Sequence, residues 1–205
     1  MRAKLRGYIQ RPEVTLRQYP TSDTSKAGRY ARAMAYFKEP DMKMALGEIE
    51  SLLKDEPDNP YFLEMYGQIK VEMGKVAEGI EPYRHAVQIL PDAPLIRVAL
   101  AAALIGTENP NYIAEAVQNL QTALSQEEDD WFAWHELAEA YGRQKQTGKA
   151  ELATAESYFV IDAYPQAVQF AARAQRQLQP GTTDWQRAQD IFSISQTQAK
   201  NQRGQ

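Results

Sequence analysis

Two helix-breaking punctuations recur at a fixed step along this chain. "LKDEPDNP" (53–60) and "ILPDAP" (89–94) each close an amphipathic run with proline, and Pro57 and Pro91 stand 34 residues apart. Other landmarks keep the step. Ala45 maps on Gly79, Ile49 on Tyr83 and Leu52 on Ala86. A period of this length leaves little freedom, because one supersecondary unit must be built again and again and stacked on itself.

The order of residue types within the period says which unit. A small residue, a large apolar one, a small or apolar one and then proline resemble the tetratricopeptide (TPR) pattern. Small residues let two antiparallel helices approach closely. The large residue fills the gap between neighbouring hairpins. Proline stops the second helix, because it has no N–H and clashes with the preceding turn. The expected fold is all-α, a TPR-like right-handed superhelix of antiparallel hairpins with about ten helices.

The spacing predicts four hairpins, pairing 26–38 with 42–55, 60–73 with 76–90, 94–105 with 111–125, and 131–144 with 148–161. Further helices are expected over 164–178 and 183–199. The second hairpin fits best, with Gly67 at the close approach, Gly74 at the turn and Pro91 at the stop. The third carries a turn, "GTENPNY", about three residues longer than the norm. The fourth opens with "WFAWHELAEAYG", where Trp134, Leu137, Ala138 and Tyr141 match W-x2-L-G-x2-Y with Ala for Gly. After Ala150 the period is expected to falter, since Ala167, Ala171 and Ala174 come half a repeat early. The domain reading is a basic arm over 1–25, one solenoid over 26–199 and a flexible polar tail over 200–205. Within the arm Pro12 and Pro20 predict an extended or partly helical path, and "TSDTS" (21–25) supplies N-caps for the first helix.

Charge is unevenly placed. Residues 1–38 hold nine Lys/Arg against two acidic side chains, while 39–139 hold six basic against twenty acidic. The arm reads either as a contact for another surface or as a solvated linker. Nucleic acid is not expected as a partner, because the acidic body repels phosphate and the arm has no nucleic-acid motif. The chain has no cysteine, which excludes a disulfide scaffold and a thiolate zinc site. No apolar run approaches the roughly 18–20 residues of a spanning helix. The start lacks an apolar h-region, so it does not read as a signal peptide; if the protein is exported, the chain is expected to be mature or a fragment of something longer.

Chemistry finds little purchase. "HELAE" (135–139) comes nearest to the zinc-protease H-E-x-x-H, with Glu139 where the second His would stand. A catalytic site needs a third ligand, and the only other histidine, His85, belongs to another hairpin. These are read as polar residues on an open helix face. "EEDD" (127–130) reads as a cap for the next helix rather than a cation site. No phosphate-binding glycine loop and no nucleophile elbow occurs. No catalytic residue, metal ligand or cofactor is expected in this chain.

"RAKLRGYIQRPEVTLRQYP", "DTSKAGRYARAMAYF", "EPDNPYFLEMYGQ", "LPDAPLIRVALAAALI" and "WHELAEAYGRQ" together resemble the C-terminal region of BepA-type bacterial zinc metallopeptidases, the beta-barrel assembly-enhancing family. The likeness runs from about residue 2 to 195. It implies a TPR domain that follows a zinc-bearing catalytic domain absent from this chain, in a periplasmic protein concerned with outer-membrane protein quality control. The implied partners are a protein or peptide and the catalytic protease domain of the parent, the basic arm being the link to it. The TPR resemblance further implies a concave groove lined by the first helix of each hairpin. Its positions here include Tyr30, Met34 and Phe37; Tyr61, Glu64, Met65 and Gln68; Val98 and Ala102; and Phe132, His135, Glu139 and Arg143. The alternative function is a free-standing TPR adaptor in cell-envelope assembly, which an H-E-x-x-H upstream in the same reading frame would exclude.

Overall fold

A computed structural model describes residues 10–203. Among these it contains eleven α-helices, one 3-10 turn and no strand. The chain forms two compact units, one ending at Ala99 and the other starting at Leu100. No described helix is long and apolar enough to cross a membrane.

In the first unit the arm is partly built into the fold. Residues 1–9 lie outside the described residues. Pro12 opens a short helix, α1 (Pro12–Gln18), where its missing N–H costs nothing. Thr15 of α1 is fully buried. The chain then reaches α2 (Lys26–Lys38), capped by Ser25, whose hydroxyl accepts from the Gly28 N–H at 3.1 Å. Arg32 of α2 fastens the arm. Its guanidinium donates to the carbonyls of Pro20 and Asp23, at 2.8 Å each, and forks onto Glu48 at 2.6 and 3.0 Å. Lys38 also donates to the Gln10 carbonyl at 2.8 Å.

The hairpins follow the sequence expectation closely. α2 pairs with α3 (Met42–Asp55), capped by Asp41. α4 (Pro60–Glu72), capped by Asn59, pairs with α5 (Val76–Ile89). The contact between α4 and α5 shows why the pattern needs glycine. A Cβ on Gly67 would lie 2.9 Å from the Tyr83 ring, and one on Gly79 would lie 2.8 Å from the Gly67 carbonyl oxygen. The turn between them runs through Gly74 at φ +75°, a left-handed conformation that favours glycine. The same turn position in the fourth hairpin is Lys145, at φ +60°. α6 (Pro94–Gly106) carries the boundary between the units.

In the second unit the long "GTENPNY" turn folds its extra residues into a 3-10 turn (Pro110–Tyr112) before α7 (Ile113–Leu124). Asp130, the last of the "EEDD" run, caps α8 (Trp131–Arg143), its carboxylate accepting from the N–H groups of Phe132 and Ala133 at 3.0 Å. α9 (Thr147–Val160) packs on α8 and on α10 (Tyr164–Gln177), which pairs with α11 (Thr183–Arg203). Here the expected break in the period does not occur. Ala171 lies seven residues into its helix, as Gly67 and Ala138 do in theirs, so α10 is the first helix of a fifth hairpin arriving on time. Its alanines belong to the close-approach positions of a first helix, and Ala167, Ala171 and Ala174 are all fully buried. α11 stays helical to Arg203, beyond the expected end at 199.

Candidate partner-binding surface

The residues assigned to the groove divide into three groups. Tyr30, Met34, Met65 and Val98 are buried and are corrected from binding to core positions. Tyr30, Met34 and Met65 form one apolar cluster with Ala45, Ile49, Leu52, Phe62 and Ile69. The Tyr30 ring packs on Phe62 with centroids 5.4 Å apart. Burial pushes the Tyr30 hydroxyl well above the usual tyrosine pKa, helped by the charge of Glu64. Large apolar side chains at these positions gain more by turning into the hairpin than by facing water.

Phe37, Glu64, Gln68 and Ala102 are half-buried, so each presents only part of its side chain. Tyr61, Phe132, His135, Glu139 and Arg143 are exposed. The last four share α8, at spacings of three and four residues, and therefore one face of it. Arg143 is already engaged. It donates to the Ile105 carbonyl at 2.8 Å and to Glu139 at 2.6 Å, so it acts first as a clasp on the C-terminal end of α6. Glu136, on the same helix, holds its proton more tightly than usual because of burial and the neighbouring Glu139. His85 pairs instead with Asp58 at 3.2 Å. Among the described residues no three His, Cys, Asp or Glu side chains converge to hold a metal.

Sequence reasoning missed the neighbours of this face. Trp131 is 51% exposed and Ile161 is 52% exposed, although both are large and apolar. The Trp131 ring meets Phe132 edge-on at 5.9 Å and lies 6.4 Å from the His135 ring. Beside them opens a cleft of about 490 Å³ between α8 and α9, with Trp131, His135 and Glu139 on one wall and Thr154, Tyr158 and Ile161 on the other. Nothing in the spacing of "TAESYFVID" separates these α9 residues from core. Only the way α9 lies on α8 does so.

A second cleft of about 450 Å³ lies among α7, α8, α9 and α11. Several of its polar groups are already engaged. Gln121 donates to the Tyr141 hydroxyl at 2.8 Å, the Lys149 ammonium sits 5.4 Å above the Tyr141 ring, and Arg187 forks onto the buried Glu156 at 2.6 and 2.7 Å.

Comparison with known proteins agrees with this fold. The crystal structure of MamA superposes with a TM-score of 0.61 at 17% identity, covering 84% of this chain and 97% of that one. MamA from Desulfovibrio magneticus RS-1 gives 0.60 at 14% identity, over 83% and 92%. YrrB, described as a TPR protein with an unusual peptide-binding site, gives 0.66 at 17% identity, over 82% and 87%. The fold is the tetratricopeptide-repeat fold. In sequence, the chain is similar to the beta-barrel assembly-enhancing protease of Escherichia coli K12 and to that of Shigella flexneri, each 25% identical over 157 residues. That match covers 77% of this chain and spans 31% of the length of those relatives. No protein-family model matches the chain.

Proposed function

We propose that this chain is a protein-binding module, and that it serves as the partner-recruiting domain of a periplasmic zinc metallopeptidase of the beta-barrel assembly-enhancing type. The observation that carries the reading is the exposed face of α8, where Trp131, Phe132 and His135 gather beside an open cleft instead of closing into the core. Aromatic side chains held in water on a rigid helix suit protein contact, because they bury large area at small entropic cost. The chain itself is assigned no catalytic role in this reading. The protease connection rests on the 25% identity to those relatives. Zinc belongs to the catalytic domain of such a parent and is assigned to no residue here. The basic residues of the arm would face that domain.

The test is capture from an envelope extract, comparing the unchanged chain with a Phe132→Ala, His135→Ala double variant and identifying what is retained. Partners held by the first and lost by the second, at equal helicity, are the expected result. Equal retention by both removes α8 as the recruiting face. Co-purification with a catalytic domain carrying H-E-x-x-H tests the finer assignment separately.

A further inference from the structure

One hairpin of the second unit lacks its own wedge. In the second hairpin a large side chain of the second helix presses on a small residue of the first. Tyr83 covers Gly67, so closely that a Cβ there would meet the ring at 2.9 Å. Ile49 and Leu120 hold the same place in their hairpins, and all three wedges are buried. The position then falls on Thr154, which lies 34 residues after Leu120. Its hydroxyl is donated back to the Ala150 carbonyl at 2.8 Å, and that of Ser157 to the Thr154 carbonyl at 2.8 Å. Neither side chain reaches across.

The facing residue registers the loss. Ala33, Gly67, Ala101 and Ala171, each seven residues into a first helix, are buried, whereas Ala138 at the same place is half-exposed and lines the cleft. The far wall is firm, because Tyr158 stacks on Phe170 with centroids 5.4 Å apart and planes at 19°. The 490 Å³ opening is therefore a fixed, largely apolar hole shaped by a missing side chain.

We propose that this hole receives from a partner protein the apolar side chain that the repeat omits, a leucine or an aromatic residue flanked by lysine or arginine. The apolar character follows from the vacancy. The flanking charge follows from the rim. Glu139 lines the cleft on the α8 side and is exposed, and the exposed Asp162 follows Ile161 on the other side. The inference deepens the binding reading above and rests on it.

The experiment titrates the whole chain with fluorescent synthetic peptides of one length: a leucine flanked by lysines, the same peptide with alanine for leucine, and the leucine flanked by glutamates. The leucine–lysine peptide binds best, and loss of its leucine weakens binding about 10- to 100-fold, the worth of burying one such side chain. Thr154→Leu restores the wedge and is expected to weaken the leucine–lysine peptide by a similar factor, with the melting temperature unchanged or raised. Ala138→Leu fills the same hole from the other wall and gives an independent check, while Thr154→Ser keeps binding. If the peptide binds Thr154→Leu and Ala138→Leu as it binds the unchanged chain, or if the alanine or glutamate peptide binds equally well, the cleft is overturned while capture on the α8 face still stands. If the leucine–lysine peptide fails to bind the unchanged chain, the cleft is overturned as well, and the Phe132, His135 comparison decides the broader reading on its own.

Discussion

Arg32 shows how much one side chain can hold. It is almost fully buried, and its donors serve two arm carbonyls and one carboxylate from the next helix. A buried guanidinium is tolerable only when paired and hydrogen-bonded, and removing one member strands the others. Arg32→Met is expected to lower stability by about 3 kcal/mol, read by urea unfolding, by leaving Glu48 unpaired and two carbonyls without donors. No change would mean that water replaces the guanidinium without penalty. Glu136 works in the opposite sense. Burial, and then Glu139, raise its pKa above the ordinary 4.5, with His135 and Arg143 only partly offsetting them. The folded state thus binds this proton more tightly than the unfolded chain. The stability it contributes is present below the ordinary glutamate pKa and is lost as pH rises through the raised one. Glu136→Gln should raise the melting temperature at neutral pH and flatten its dependence just above pH 4.5. A midpoint that stays the same or falls at neutral pH would contradict that.

Individual helices are governed by short-range chemistry, and here the sequence was most legible. Ser25, Asp41, Asn59 and Asp130 cap where they stand, because a cap satisfies N–H groups within three residues. The prolines and Gly74 likewise act on their own turns. Pairing of helices draws on the small residues, and this too was readable where glycine made it explicit. Gly67→Ala should cost about 1–3 kcal/mol in a thermal melt, since the new methyl must push a buried tyrosine ring. A neutral outcome would show that Tyr83 can move aside. The alanines of α10 were harder to place. Alanine suits the close-approach position of either helix in a hairpin, so composition alone put them half a repeat early, and only the helix boundaries restored the register.

Across the whole chain the clearest sequence property is charge. Twenty acidic against six basic side chains between 39 and 139 favour a basic partner. Capture through that stretch should weaken as ionic strength rises from ~0.1 M to ~1 M, where the Debye length falls from about 10 Å to about 3 Å. Capture indifferent to salt would leave apolar contact as the sole attraction. The sequence by itself determined the period through the first four hairpins, most of the helix limits and the acidic character, because each is set by neighbours within a few residues or by simple count. The tertiary structure alone decided which apolar residues of the first helices are core. Tyr30, Met34, Met65 and Val98 went inside, while Trp131 and Phe132 stayed in water. It also decided that Arg143 clasps the Ile105 carbonyl and that the hairpin of α8 and α9 stays open at Thr154. The physical reason is that burial depends on what a second helix, distant along the chain, brings to the contact. A helical period places a residue on a face but does not say whether that face will be covered.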